Sequence, residues 1–153
     1  MEISFDDVEK VTERFSAVLQ AFPDGRRQAA EQIAAALLGN VRGHIGGAGK
    51  VKSWQESSVG SKGGYAAVRP ASGSAEDDRG RPTRHSKGYV TGAIDRGHRT
   101  RGPTGKSKRY RYRGHMASVP GKEFYDEAGA ETDAVAWAAA EALVERLARQ
   151  MEE

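Results

Sequence analysis

The stretch KEFYDEAGAETDAVAWAAAEALVERLARQM, residues 122–151, decides the architecture. It holds almost nothing but helix formers, and its one interruption, Gly129, costs about 1 kcal/mol relative to alanine. Phe124 and Ala128 share a face, and Trp137, Ala140, Val144, Leu147 and Met151 follow at alternating three- and four-residue spacing, as an apolar helical stripe does. At about 1.5 Å per residue the pattern predicts a rod of ~45 Å from about Lys122 to Met151, with Glu141 and Glu145 on its outer faces.

Working outward, the N-terminal stretch is also helical. Ser4 is a capping residue, and Asp6, Asp7 and Glu9 suit the positive end of a helix dipole. Phe5, Val8, Val11, Phe15, Val18, Leu19 and Phe22 form one apolar stripe, which Pro23-Asp24-Gly25 is expected to break. A second helix is expected from about Arg26 to Leu38, with Ala29, Ala30, Ile33, Ala34, Leu37 and Leu38 inward and Gly39-Asn40 as its stop.

The middle of the chain has a different punctuation. Alternation over Val51-Lys52-Ser53-Trp54-Gln55-Glu56-Ser57 suggests a half-buried strand, and Tyr65–Arg69 a second one ended by Pro70. Residues 71–88, rich in Ser, Gly, Asp, Arg and Pro, are expected as loop or disorder, and Tyr89–Ile94 as a third strand. Residues 95–118 are basic and glycine-rich, a strand or an extended arm. Helices, then strands, then a helix define an α+β class: two N-terminal helices, a small mostly antiparallel sheet and a long C-terminal helix. One domain over residues 1–153 is expected, with 71–88 and 95–118 as flexible loops or arms. Phe15, Ile33, Trp54, Phe124 and Trp137 are the expected core.

Composition limits what such a chain does. Apolar residues make up 37%, below the ~45–50% usual for globular domains, so the core is modest. There is no cysteine, which fits a reducing cytoplasm during synthesis. The opening Met1-Glu2-Ile3-Ser4 is acidic rather than signal-like, and no apolar run approaches a membrane span. A net charge of +3 hides segregation: residues 1–40 hold 4 Lys/Arg against 7 Asp/Glu, 41–78 hold 5 against 4, 79–115 hold 12 against 1, and 116–153 hold 3 against 9. Acidic ends thus flank a middle of charge +11 (12 less 1), which calls for an acidic partner, either nucleic acid or the ends of neighbouring copies.

No catalytic constellation stands out, and no enzyme activity, metal or cofactor is expected. Gly105-Lys106-Ser107 and Gly49-Lys50 brush against the phosphate-loop pattern, but Thr100 and His44 stand where its first glycine belongs. His44, His85, His98 and His115 are scattered without metal-ligand spacing. In Asp95-Arg96-Gly97-His98-Arg99 a hydrogen-bonded turn histidine is favoured over an acid–base pair. The interleaved Arg109-Tyr110-Arg111-Tyr112-Arg113 offers charges for phosphates and rings for stacking, the pairing that single-strand binders use.

Four pieces together resemble one family, the phage minor tail, head–tail joining or tail completion proteins of lambdoid long-tailed phages and prophages. They are the helical start leading into Gly49-Lys50-Val51-Lys52-Ser53-Trp54; Gly64-Tyr65-Ala66-Ala67-Val68; Ile94-Asp95-Arg96-Gly97-His98-Arg99, similar to the family's apolar–acid–any–Gly–His/Thr element; and Val119-Pro120-Gly121-Lys122-Glu123-Phe124-Tyr125-Asp126-Glu127-Ala128, similar to its Pro-small-x-x-Phe lead into a terminal helix. Their order and spacing agree over nearly the whole chain, and the family usually carries Glu at the place of Asp95. The resemblance implies a structural virion protein, made in the host cytoplasm, that assembles as a ring (commonly six copies) in the neck between connector and tail tube, with DNA passing through the lumen. It implies subunit-interface roles for Tyr89, Asp95, Arg96, Gly97, His98, Arg99, Arg109, Arg111, Arg113, Pro120 and Phe124. Two alternatives remain open: another ring of the same neck, the tail terminator or head-side stopper, or a nucleic-acid-binding protein using residues 79–115, with Arg109, Tyr110, Arg111, Tyr112 and Arg113 as contacts.

Overall fold

The computed structural model describes residues 5–47, 49–99 and 118–152, with side chains from residue 9 onward. Two long helices dominate: α1, Phe5–His44, and α4, Phe124–Glu152. Between them lie α2 (Gly49–Trp54), β1 (Gln55–Val59), a 3-10 turn at Ser61–Gly63, β2 (Ala66–Pro70), β3 (Ser74–Glu76), β4 (Pro82–Ser86), α3 (Lys87–Arg96), β5 (Gly97–Arg99) and β6 (Ser118–Pro120). The strands form three antiparallel pairs, β1–β2, β3–β4 and β5–β6, so the class is α+β. Among the described residues no helix is long and apolar enough to cross a membrane.

The first correction concerns residues 23–25. Pro23 lies inside α1, which runs unbroken for 40 residues. An interior proline costs about 3 kcal/mol in lost bonding and crowding, and here packing offsets it. Gly25 is buried against Leu143 and Arg146 of α4, Arg146 donates to Gln28 at 2.9 Å, and Arg26 donates to the Lys62 carbonyl. Arg14 at one end donates to the Met151 carbonyl at 3.2 Å, and Asn40 at the other donates to Thr132 at 3.0 Å, so α1 and α4 run antiparallel.

The core sits where the end of α1 meets the start of α4. Val41, Ile45, Val51, Phe124 and Ala128 form its buried centre, with Leu37, Trp54, Val68, Val90, Ile94 and Tyr125 packed around it. Further along, the helices meet through small residues, Ala30 and Ala34 on one side and Thr132 and Ala139 on the other. This corrects the expected core. Phe124 is fully buried, Ile33 and Trp54 are half-buried, but Phe15 is 53% and Trp137 73% exposed. Once α4 turns Ala128, Thr132 and Ala139 to α1, its Trp137 stripe must point elsewhere. Trp137→Ala should accordingly shift unfolding by no more than about 0.5 kcal/mol, as surface substitutions do. A urea melt of dilute protein checks this, and a loss of several kcal/mol would return the indole to the core.

Three further expectations change. Residues 51–54 are helical, and the strand begins only at Gln55. Gln55 is wholly buried, and its side chain donates back to the Val51 carbonyl at 2.9 Å. Residues 71–88 hold the β3–β4 hairpin rather than a structureless loop. The Asp77 carboxylate accepts from the backbone N–H groups of Arg81 and Arg79 at 2.9 Å each and pairs with the Arg81 guanidinium, which holds it below the usual carboxylate range. Residues 89–94 are helix, not strand. Ser86 caps α3 by accepting from the Tyr89 N–H, and the β-branched Val90 and Ile94 fall four apart, as do the buried Thr91 and Asp95. That spacing is helical, and the core contact overrides the strand propensity of single residues. The β1–β2 pairing, Gln55↔Pro70 through Val59↔Ala66, agrees with the expected strand at 65–69.

Candidate assembly surface

Two separated sequence elements close on each other at the base of α4. β5 pairs with β6 in the register Gly97↔Pro120, His98↔Val119, Arg99↔Ser118. Beside this short ladder the backbone N–H of Lys122 donates to Ile94 O at 3.0 Å, and that of Glu123 to Asp95 O at 2.9 Å. The chains approach so closely that glycine is required on both sides. A Cβ on Gly121 would lie 2.2 Å from Asp95 O, and one on Gly97, which has φ +81°, would lie 2.5 Å from Val119 O. The Asp95 carboxylate accepts from the Tyr125 N–H at 3.2 Å, in the first turn of α4, where an anion suits both the free N–H groups and the dipole. Burial, followed by the charge of Asp95, pushes the Tyr125 phenol up to about 12. It therefore stays a donor, to Gln55 at 2.6 Å.

Of the residues expected at a subunit interface, the fold brings Tyr89, Arg96, Gly97 and His98 to one shallow groove between α3 and β5, floored by Gly92 and Ala93. Arg99 continues along β5 and Pro120 lies across the ladder from Gly97, both exposed. Asp95 and Phe124 are corrections. Both are buried, Asp95 as the cap of α4 and Phe124 as the centre of the core, so neither is open to a partner. Arg109, Tyr110, Arg111, Tyr112 and Arg113 lie outside the described residues. His98 is hydrogen-bonded as expected, its Nδ1 3.3 Å from Ala93 O, but it stands in β5 rather than in a turn. Reasoning from sequence missed His85, whose ring stacks on Tyr89 at 5.0 Å and 15°. Tyr89 and Arg96 both line the groove, so the stacked pair stands beside one guanidinium there. His85 stands in β4, ahead of the Ser86 cap, and Tyr89 in α3, so no single periodicity in the sequence pairs the two rings.

A second cluster was also missed. His44, in the last turn of α1, reaches Glu127 with Nδ1 and Glu131 with Nε2, both at 3.0 Å. The hydrogen bond to Glu131 is the main cause that raises its pKa above the ordinary value, outweighing desolvation. A raised pKa stabilises the fold fully below the unfolded value near 6.5, and the contribution disappears as pH climbs through the higher folded value. We expect the melting temperature to fall across that window, and to fall less in His44→Gln. Equal slopes in the two proteins would remove His44 from the account. Among the described residues no group of three or more His, Cys, Asp or Glu could hold a metal ion.

No family model, curated protein or solved structure matches this chain.

Proposed function

We propose that the chain is a structural subunit of a phage neck, a tail completion or head–tail joining protein that assembles as a homo-oligomeric ring around the DNA channel. The observation that carries the reading is the clasp between residues 94–99 and 119–125. The two elements that most resemble the family are far apart in sequence, and they form one built unit in which each supplies what the other needs: a glycine, a cap, a strand. From this unit residues 100–117 leave and return, and they carry Arg101, Lys106, Lys108, Arg109, Arg111 and Arg113 with no acid. A basic segment held at both ends on a helix-backed base suits a subunit that grips acidic surfaces of its neighbours, here the acid-rich stretches 1–40 and 116–153. The role is mechanical: continuity of the channel and a checkpoint in assembly, with partners in the connector and tail tube.

The test is a count of particles from a phage or prophage that encodes this chain. Replacing Arg109, Arg111 and Arg113 with Gln should leave DNA-filled heads and unattached tails. Normal particle yield from the triple variant would sink the reading.

The stacked His85–Tyr89 pair, with Arg96 lining the same groove as Tyr89, favours one second reading, a single-stranded nucleic-acid site over residues 79–115, since rings and guanidinium groups together suit bases and phosphates. It predicts filter binding with a salt slope of about −0.7 per neutralised phosphate. The triple variant would flatten that slope by about two units (three contacts at ~0.7 each) while particles assemble normally.

A further inference from the structure

We propose that His44 is a proton-operated latch between α1 and α4. As an imidazolium it ties the last turn of α1 to Glu127 and Glu131, and on losing a proton it lets that turn open locally while the rest of the fold stands.

Hydrogen-bond chemistry sets the protonation state. Glu127 Oε2 lies 3.0 Å from Nδ1, and Glu131 Oε2 lies 3.0 Å from Nε2. An ionised carboxylate only accepts, so each ring nitrogen must carry a proton to face one. Neutral imidazole has a single N–H, which leaves a bare lone pair against a carboxylate oxygen on its other side. One of the two contacts must then break. The charges that act on the ring are those of Glu131 and Glu127. Cations of the adjoining segments are engaged elsewhere: Lys122 on the Ile45 and Gly46 carbonyls at 3.5 Å, Arg42 on the Gln55 carbonyl at 2.9 Å, and Lys50 on the Asp77 carbonyl. Lys52 of α2 is exposed.

The fold limits how far an opening can spread. His44 is the final residue of α1, and the Ile45 N–H adds one more bond, to Val41 O at 3.1 Å. The last carbonyls of a helix have no partner within it, so this turn depends on what α4 and Lys122 supply. One turn back, Asn40 donates to Thr132 at 3.0 Å, a contact without charge that holds on either side of the ring's titration. The segment under the latch is therefore residues 41–45. Val41 and Ile45 within it are fully buried, so an opening lays bare part of the core and stays a rare excursion. The proton sets how rare. The closed turn has its full advantage below the ordinary imidazole value of 6.5, and loses it as pH rises through the higher value of the folded ring. Both glutamates are more than half exposed, so the change in the opening equilibrium is about two- to fivefold, as exposed ion pairs give.

The inference stands apart from the neck reading, because its test needs only the purified full-length chain. Nitrogen chemical shifts of the His44 ring should show both nitrogens protonated below 6.5 and a titration above it. Amide exchange, corrected for its intrinsic pH dependence, should show protection at Gly43, His44 and Ile45 falling about two- to fivefold as that ring titrates. Amides at 134–138 in α4 should keep theirs. His44→Arg, a lasting cation whose fork can face both carboxylates, should hold the higher protection at every pH. His44→Gln should show the lower protection throughout, with no step. The proposal is overturned by a ring that titrates at or below 6.5, by a parent without the step, by a step that survives in His44→Arg, or by a His44→Gln protein as protected as the parent at low pH.

Discussion

Phe124→Ala is expected to lower the free energy of unfolding by about 3–5 kcal/mol, a large share of the ~5–15 kcal/mol that a domain usually has. Phe124 is the largest fully buried side chain among the described residues. Its ring lies 4.7 Å from that of Tyr125 at a tilt of 47°, and its buried companions are Val41, Ile45, Val51 and Ala128. None of these is large enough to swing into the space the ring would leave. The site is also a junction. α1 ends there, α2 starts there, and α3 reaches it through Val90 and Ile94. A cavity at that point loosens elements from three parts of the chain at once, in a protein whose apolar content is only 37%. Urea denaturation measures the effect, with Trp137→Ala as the matched aromatic truncation expected to do little. A Phe124→Ala midpoint within error of the parent would mean that the core lies elsewhere.

Gly121→Ala is expected to cost about 3 kcal/mol, at the upper end of the usual penalty for forcing atoms into filled space. The new methyl would lie 2.2 Å from Asp95 O, 2.6 Å from Arg96 C and 2.8 Å from Gly97 N. All three are backbone atoms, so no side chain can rotate out of the way. Either the β5–β6 ladder spreads or the start of α4 shifts, and both motions strain the hydrogen bonds from Lys122 to Ile94 and from Glu123 to Asp95. Amide exchange should therefore rise at Lys122 and Glu123 before it rises elsewhere. The control is Gly129→Ala, where an added methyl meets nothing within 4 Å in a helix interior; there alanine should stabilise by ~0.4–1 kcal/mol. If both variants behave alike, the close approach at Gly121 is not a constraint.

How far the fold was legible depended on whether local and tertiary signals agreed. They agreed for α4, where propensity, periodicity and length point one way, and the helix begins and ends within two residues of expectation. They disagreed at Pro23-Asp24-Gly25, a strong local turn signal overruled by an α4 surface that no local window contains. They disagreed again at residues 89–94, where Val90, Thr91 and Ile94 read as strand residues singly and as a helical face only once the core they touch is known. The Trp137 stripe is apolar, yet Trp137 and Val144 are exposed, because periodicity shows that a face is apolar but not what it meets. For the candidate surface, Tyr89, Arg96, Gly97 and His98 were singled out from the chain alone and share a groove. Asp95 and Phe124 belong to the same motifs, yet they turn inward to build the base on which those residues stand.

The β5–β6 ladder has a practical consequence for engineering. Paired residues in such a ladder have Cα atoms about 5 Å apart, so Arg99 and Ser118 present two chain ends side by side on a clamped base. A foreign peptide or small domain with neighbouring termini could be spliced between them in place of residues 100–117. Lengthening a flexible connection costs only about 0.6 kcal/mol per doubling. The clasp is therefore a natural graft point for cargo display, with the rest of the fold left to stand as it is.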